Sequence, residues 1–232
     1  ILYHIFINTA IIVFNDIYKS EILSLDRFYR ANLINSIVGI KQASLIGTVS
    51  NKNISNLALF SSVVHLGSNP QLVAMFSRPN TGTPKQTLKN IIDSNAYTIN
   101  HVNSKILHRS HATSKKFGPT ESEFAQCNLE EYYIDGFQAP FVKECNISIG
   151  VSYRRHFTID ENDVVMIIGE IYKIIVDDQF ISETGEVLLS NLDSIGVAGN
   201  NSYYSLKPLS SLDYVSSDNN EMVTKLLELD KS

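Results

Sequence analysis

"NLALFSSVVHLGSNPQLVAMFSRP", residues 56–79, is the stretch on which the fold turns. The run "ISNLALFSSVVHL", 54–66, is strand-like in its Val, Phe and Ser content, and "GSNP" after it is a turn. "QLVAMFS", 71–77, is a further strand, apolar enough to be buried on both faces. Beyond Phe76 come an Arg, two Pro, a Gly, several hydroxyls and a Lys. A helical pattern then begins in which Leu88, Ile91 and Ile92 recur at helical spacing, and "DSN" ends it.

Working outward, "ASLIGTVS" (43–50) is predicted as a strand with "NKN" as its turn, and "AYTINHV" (96–102) as another. Residues 16–36 suggest one short helix, and the polar stretch 103–129 one or two more. Two long strand-like runs cover 145–159 and 163–178. "DSIGVAGNNSYYSL", 193–206, has the composition of a loop. The tail "NNEMVTKLLELDKS" is a short amphipathic helix with a stripe of Met222, Val223, Leu226 and Leu227. Strands outnumber helices and are separated by turns. This predicts a mainly β fold with peripheral helices, an antiparallel barrel rather than a doubly wound sheet.

The 232 residues suffice for a sizeable core, and 44% hydrophobic with 19% charged residues is ordinary globular composition. A net charge of −5 offers no basic surface, so nucleic acid is not expected as a partner. Cys127 and Cys145 sit in no metal-spaced pattern and are expected to be reduced thiols of a cytoplasmic protein. The apolar start "ILYHIFINTAIIVF" is too short for a membrane-spanning helix, has no basic region or cleavage site, and holds His4, Asn8 and Thr9. It leaves an extra strand or helix, or a segment outside the natural start, and no membrane partner is expected.

Two accounts fit the loop after Phe76. Thr83 as N-cap, Pro84 at the first helical position and Gln86 three residues after the cap would form a capping box, which needs no ligand. A helix start also attracts anions, and Arg78, Lys85 and Thr87 bring a guanidinium, an ammonium and a hydroxyl to it. Neither a G-x-x-x-x-G-K nor a G-x-G-x-x-G pattern is present. A cap satisfies some of the N–H groups, so both accounts stand together.

The order of these pieces resembles the flavin reductase-like family of FMN-binding split barrels. "LIGTVS", a turn, "NLALFSSVVHLGSNPQLVAMFSRP", "KQTLKNI" and "YTINHV" follow that family's succession. "GEIYKIIVDDQFI" and "VAGNNSYYSL" resemble its later Gly-Glu strand and closing Gly-rich segment. The likeness spans about residues 26–214, which sets a barrel domain between an N-terminal extension (1–25) and a tail with a short helix (215–232). It implies a six-stranded antiparallel split β-barrel, a homodimer with FMN near the interface. It further implies that Asn56, Ser61 and Ser62 line the flavin ring and ribityl chain, that Arg78, Lys85 and Thr87 hold the phosphate, and that Thr48 faces the ring. Gln86 departs from the Asp often found there. Independently of the likeness, residues 56–87 supply small hydroxyls and amides, an apolar wall, then cations, as a phosphorylated, polyhydroxylated, flat ligand requires.

Other residues carry less. His108 and His111 in "HRSH", with His101 upstream, have no acidic or Cys partner at ligand spacing, so no metal is expected. The stretch "HRSHATSKKFG" is either a cover over the flavin or a solvated basic helix. Arg154 and Arg155 suit either nicotinamide phosphates or edge-strand protection. Tyr203 and Tyr204 suit packing on the flavin or across a dimer, or a plain core or interface place. The resulting expectation is an FMN-binding oxidoreductase that takes hydride from NADH or NADPH to flavin N5 and passes electrons to a small-molecule acceptor. The alternatives are an FMN carrier or electron-transfer protein without nicotinamide turnover, and a barrel without flavin. Alignment rather than acid or base would drive the step, so no catalytic residue is assigned.

Overall fold

The protein was analysed as a computed structural model, which describes residues 2–7, 10–79, 85–216 and 219–229, with side chains from Asp16 onward. The apolar start forms two antiparallel strands, β1 (Leu2–Ile7) and β2 (Ala10–Asn15). The single helix expected over 16–36 is two, α1 (Lys19–Ser24) and α2 (Arg27–Ile37). Asp26 makes the break, because its carboxylate accepts from the N–H groups of Phe28 and Tyr29 and caps α2.

The barrel strands follow as β3 (Lys41–Gln42), β4 (Ser44–Val49), β5 (Ser55–Phe60), β6 (Val63–Ser68) and β7 (Gln71–Ser77). After α3 (Gln86–Ser94) comes β8 (Ala96–His101), then α4 (Leu107–Ala112) and α5 (Glu123–Gln126). A hairpin of β9 (Glu131–Ile134) and β10 (Phe137–Val142) precedes the long strands β11 (Ser148–Ile159) and β12 (Val164–Ile175). The chain closes with β13 (Ile195–Ala198), β14 (Ser202–Ser205) and α6 (Asn220–Leu229).

The main sheet has the antiparallel order β5-β4-β8-β11-β12-β7-β6. Its two outermost strands, β5 and β6, are joined by only Ser61 and Ser62. The sheet must therefore roll until its ends meet, which makes it a barrel. Among the described residues no ladder joins β5 to β6, and the barrel is split there. The run read as one strand over 54–66 is thus two. At the break Ser62 Oγ donates to Phe76 O at 2.8 Å and accepts from Phe76 N at 3.3 Å, so a side chain replaces a rung of the ladder. The fold is the expected mainly β split barrel, with seven strands in its main sheet rather than six.

Alternation along the strands sorts the core. Ile46, Val73, Met75, Tyr97, Ile99, Val151, Val165 and Ile167 fill the interior, and Leu88 and Ile91 of α3 enter the same cluster, so α3 plugs the barrel. The opposite face of β4 and β8 carries β10. There Asn100 donates to Leu45 O at 3.0 Å and Thr98 Oγ1 at 2.9 Å and accepts from Val142 N at 3.1 Å. Thr98 Oγ1 in turn donates to Pro140 O at 2.6 Å. Two segments differ from the sequence reading. Residues 193–206 are the hairpin β13–β14, paired through β13 with β3, rather than a loop. The hairpin β9–β10 lies where no element was assigned, although Asp135–Gly136 is a hairpin signal and Gly136 has φ +77°.

Gly47 tests this packing. A Cβ there would collide with Pro140 O and Thr98 Oγ1, and the first is backbone that cannot swing away. Gly47→Ala is expected to lower stability by about 1–3 kcal/mol, read as an earlier urea midpoint. An unchanged midpoint would show that β10 is not held this closely.

Candidate functional site

The interior ends of β4 and β5 face α3. Thr48 and Asn56 are directly opposite each other across the β4–β5 ladder, on the face that holds Ile46. Two turns of α3 lie over them. Asn56 Nδ2 donates to Thr87 Oγ1 at 3.2 Å, and Asn90 Nδ2 donates to Thr48 Oγ1 at 3.2 Å. All four residues are buried, so these bonds satisfy groups that would otherwise be costly inside the protein. The quartet fixes where α3 begins relative to the barrel.

Helix α3 starts at Gln86 with Lys85 in the N-cap position, no side-chain cap and no acidic residue in its first turn. The capping box needed Gln86 as the third helical residue, whereas it is the first. Thr83 and Pro84 lie outside the described residues. The helix is held by burial of Thr87, Leu88, Asn90 and Ile91 rather than by that box. Its first N–H groups point out of the helix start and keep the partial positive charge of the dipole. Arg78 follows β7 directly, is exposed, and its guanidinium forms no ion pair among the described residues.

Of the predicted site residues, the structure brings Thr48, Asn56 and Thr87 together under α3, with Asn56 bonded to Thr87 and Thr48 to Asn90. Ser62 is spent on Phe76, and Ser61 is half-buried beside it. Among the described residues no hydrogen bond ties Ser61, Ser62 or Arg78 to the quartet. Asn90 was missed by sequence reasoning. The signal was present, since a polar residue three positions after Thr87 shares the buried side of an amphipathic helix. A hollow of about 400 Å³ opens near Asp93 and Ser94, at the other end of α3 from Lys85. Among the described residues no cationic side chain lines it, and Asp93 does, which does not favour an anion.

The outer edge of β5 is covered by α5. Glu123, 5% exposed, accepts from Leu57 N at 3.0 Å, and Ser122 Oγ meets Ser55 Oγ at 2.7 Å. These contacts hold the strand that carries Asn56, and no pattern in the sequence announces them. Burial pushes the Glu123 carboxyl up, against the opposing pull of the Leu57 N–H. His101, half-buried beside Ser194 at 3.4 Å, is lowered to about 4 by desolvation and is neutral near pH 7. His111 Nδ1 meets Tyr203 Oη at 2.7 Å, and Arg154 pairs with Glu170. Among the described residues no three His, Cys, Asp or Glu side chains converge on a point where a metal would sit.

The flavin reductase like domain family matches residues 40–191, well over half of the chain. The chain belongs to the flavin reductase-like family. A split-barrel protein of Shewanella frigidimarina NCIMB 400, assigned as a flavin reductase, is 38% identical. It superposes with a TM-score of 0.83 over 87% of this chain and 100% of that one. Nitrilotriacetate monooxygenase component B from Bacillus cereus, at 20% identity and TM-score 0.75, shares the fold over 86% of this chain and 98% of its own. A curated Aquifex aeolicus protein without an assigned activity is 27% identical over 180 residues, 77% of this chain and 89% of that one. In this flavin reductase-like chain the family match spans the strands and helix that build the quartet.

Glu123 gives a pH test. Its folded carboxyl binds protons more tightly than the unfolded one, so its contribution falls as pH rises from the usual carboxylate range through the raised folded value. Glu123→Gln keeps an acceptor for Leu57 N without the charge. The variant should match the parent at low pH and be at least as stable at neutral pH. A stability difference that does not grow with pH in urea titrations would refute the buried-charge account.

Proposed function

We propose that this flavin reductase-like protein binds FMN and acts as an NAD(P)H-dependent flavin oxidoreductase. The observation that carries the proposal is the acid-free first turn of α3, where Lys85 in the N-cap position makes no side-chain cap bond, with Arg78 at the end of β7, in a chain of this family. A dianionic phosphate fits this donor set, which combines helix N–H groups with two cations of different geometry. Arg78, Lys85 and Thr87 would hold the phosphate. Asn56, Ser61 and Ser62 would border the ribityl chain and ring, and Thr48 would set the floor beneath the ring. The quartet gives Thr48, Asn56 and Thr87 a second duty, since each fixes the helix that presents the N–H groups.

FMN, when bound, supplies the hydride acceptor at N5, and the protein positions it and shapes access. No side chain here is asked to move a proton. We further propose a homodimer with the flavin near the interface. The outward side of β7, β12 and β11 supports it, because Phe76, Met166 and Phe157 lie in one apolar row across three strands, with Ala74, Ile168 and Arg155 two residues along. A barrel domain over 26–214 and a cytoplasmic setting complete the proposal. The unpaired Cys127 and Cys145 support a reducing compartment. Among the described residues no helix is long and apolar enough to cross a membrane.

Two measurements test this reading. Replacing Arg78 and Lys85 together by Ala should weaken FMN binding by at least roughly tenfold, since each charge-assisted contact contributes about 1.5–3 kcal/mol, and leave riboflavin binding nearly unchanged. Equal loss for both ligands would remove the phosphate role. Without oxygen, NADH or NADPH should bleach the visible band of the FMN-loaded protein. If neither does, the flavin carrier becomes the correct reading.

A further inference from the structure

Helix α3 is nine residues long, too short to hold its place by helix propensity alone, so its position comes from what it touches. Its two ends are held differently. At the far end Asn95 takes a left-handed cap conformation with φ 58°, and its N–H donates to Ile91 O at 2.9 Å. The Asn95 carbonyl accepts from Tyr153 N of β11, also at 2.9 Å, so the backbone ties this end to the sheet. The start has no such tie: among the described residues the N–H groups of Gln86, Thr87 and Leu88 donate to no carbonyl.

Leu88 and Ile91 bury apolar side chains in the barrel interior, but such contacts are non-directional and tolerate sliding and rotation. The directional contacts are the two side-chain bonds of the quartet. Asn56 on β5 holds Thr87, and Asn90 holds Thr48 on β4. One bond alone is a pivot. A second bond, one turn further on and on the neighbouring strand, fixes depth and rotation together. The spacings agree. Residues three apart on a helix have Cβ atoms about 5–6 Å apart, and residues directly opposite across an antiparallel ladder about 4.5–5.5 Å. Thr87 and Asn90 are thus matched to the opposed pair Asn56 and Thr48. Asn90 is 6% exposed and Thr48 0%, so neither can turn to bulk water for a replacement partner.

We propose that Asn90 is a positioning residue of the phosphate site. Through Thr48 it holds the start of α3 where the N–H groups of Gln86, Thr87 and Leu88 meet the phosphate, and so sets the preference for a phosphorylated flavin over an unphosphorylated one. The inference rests on the FMN reading and deepens it. Asn90 acts through the helix rather than on the ligand. Its loss leaves the burial of Leu88 and Ile91 and the tie at Asn95 in place, so the helix still forms and stays in the barrel. Its first turn is then left to pivot about the bond between Thr87 and Asn56.

The test compares affinities for FMN and riboflavin, from fluorescence titration of the full chain, in the parent, Asn90→Leu, Thr48→Val and the double variant. Effects on the ring or ribityl chain are common to both ligands and cancel in the ratio of the two affinities. Each single variant should lower the FMN-to-riboflavin ratio by roughly fivefold or more, the scale of one buried hydrogen bond, with circular dichroism unchanged. The double variant should lower it no further, since both substitutions break the same bond. Thr48→Val keeps the buried side-chain volume, so the test does not depend on how Asn90→Leu folds. A ratio unmoved by either substitution, or losses that add in the double variant, would overturn the role of Asn90 and leave the phosphate site standing. A parent that binds both ligands equally well would overturn the phosphate site and the role of Asn90 together.

Discussion

Two strands that are neighbours in sequence, β5 and β6, sit at opposite ends of a seven-stranded sheet with only Ser61 and Ser62 between them. That short link is the constraint on which the structure depends. A flat sheet would hold these ends several strand spacings apart, farther than two residues can span. Rolling is thus compulsory, and it leaves a seam that the backbone ladder does not close. Ser62 extends the β6–β7 pairing by one rung through Phe76, and α3 fills the rolled sheet by placing Leu88 and Ile91 in the interior.

The seam explains why the candidate site is where it is. A barrel interior is apolar, yet the helix that plugs it must begin at a fixed depth and angle. Thr48, Asn56, Thr87 and Asn90 meet this need with two buried hydrogen bonds that tolerate little displacement. The start of α3 is thereby held at a fixed place on β4 and β5, with Lys85 half-buried at its N-cap position. In the proposed reading, stability and ligand placement share the same residues. Glu123 extends the logic one layer outward by covering the free edge of β5, the strand that bears Asn56.

Legibility in the sequence followed the range of the interactions. β7 was read at its observed bounds, 71–77, and β4 within one residue at each end, because strands buried on both faces are continuous apolar runs between turns. The 193–206 hairpin looked like a loop because its strands are four residues long, contain Gly196, and pair with a two-residue strand 150 residues upstream. The break at Ser61–Ser62 was unread because nothing in "LFSSVV" differs locally from a continuous strand. Asn90 had a helical-spacing signal, whereas Ser122 and Glu123 had none, since their partners are more than 60 residues away.

By itself the sequence determined the succession of strands, the amphipathic α3 with its neighbouring cations, and through the order of motifs the family. These are properties of short windows, set by periodicity, turn chemistry and charge. Only the tertiary structure decided that β5 and β6 form a seam and that Ser62 serves the barrel. It alone showed that Thr48 and Asn56 are bonded to α3 and that Leu209, Leu212 and Tyr214 after β14 stay exposed. The physical reason is that hydrogen-bond partners and burial depend on which distant segments meet, and two residues of chain can dictate that meeting without any signature of their own.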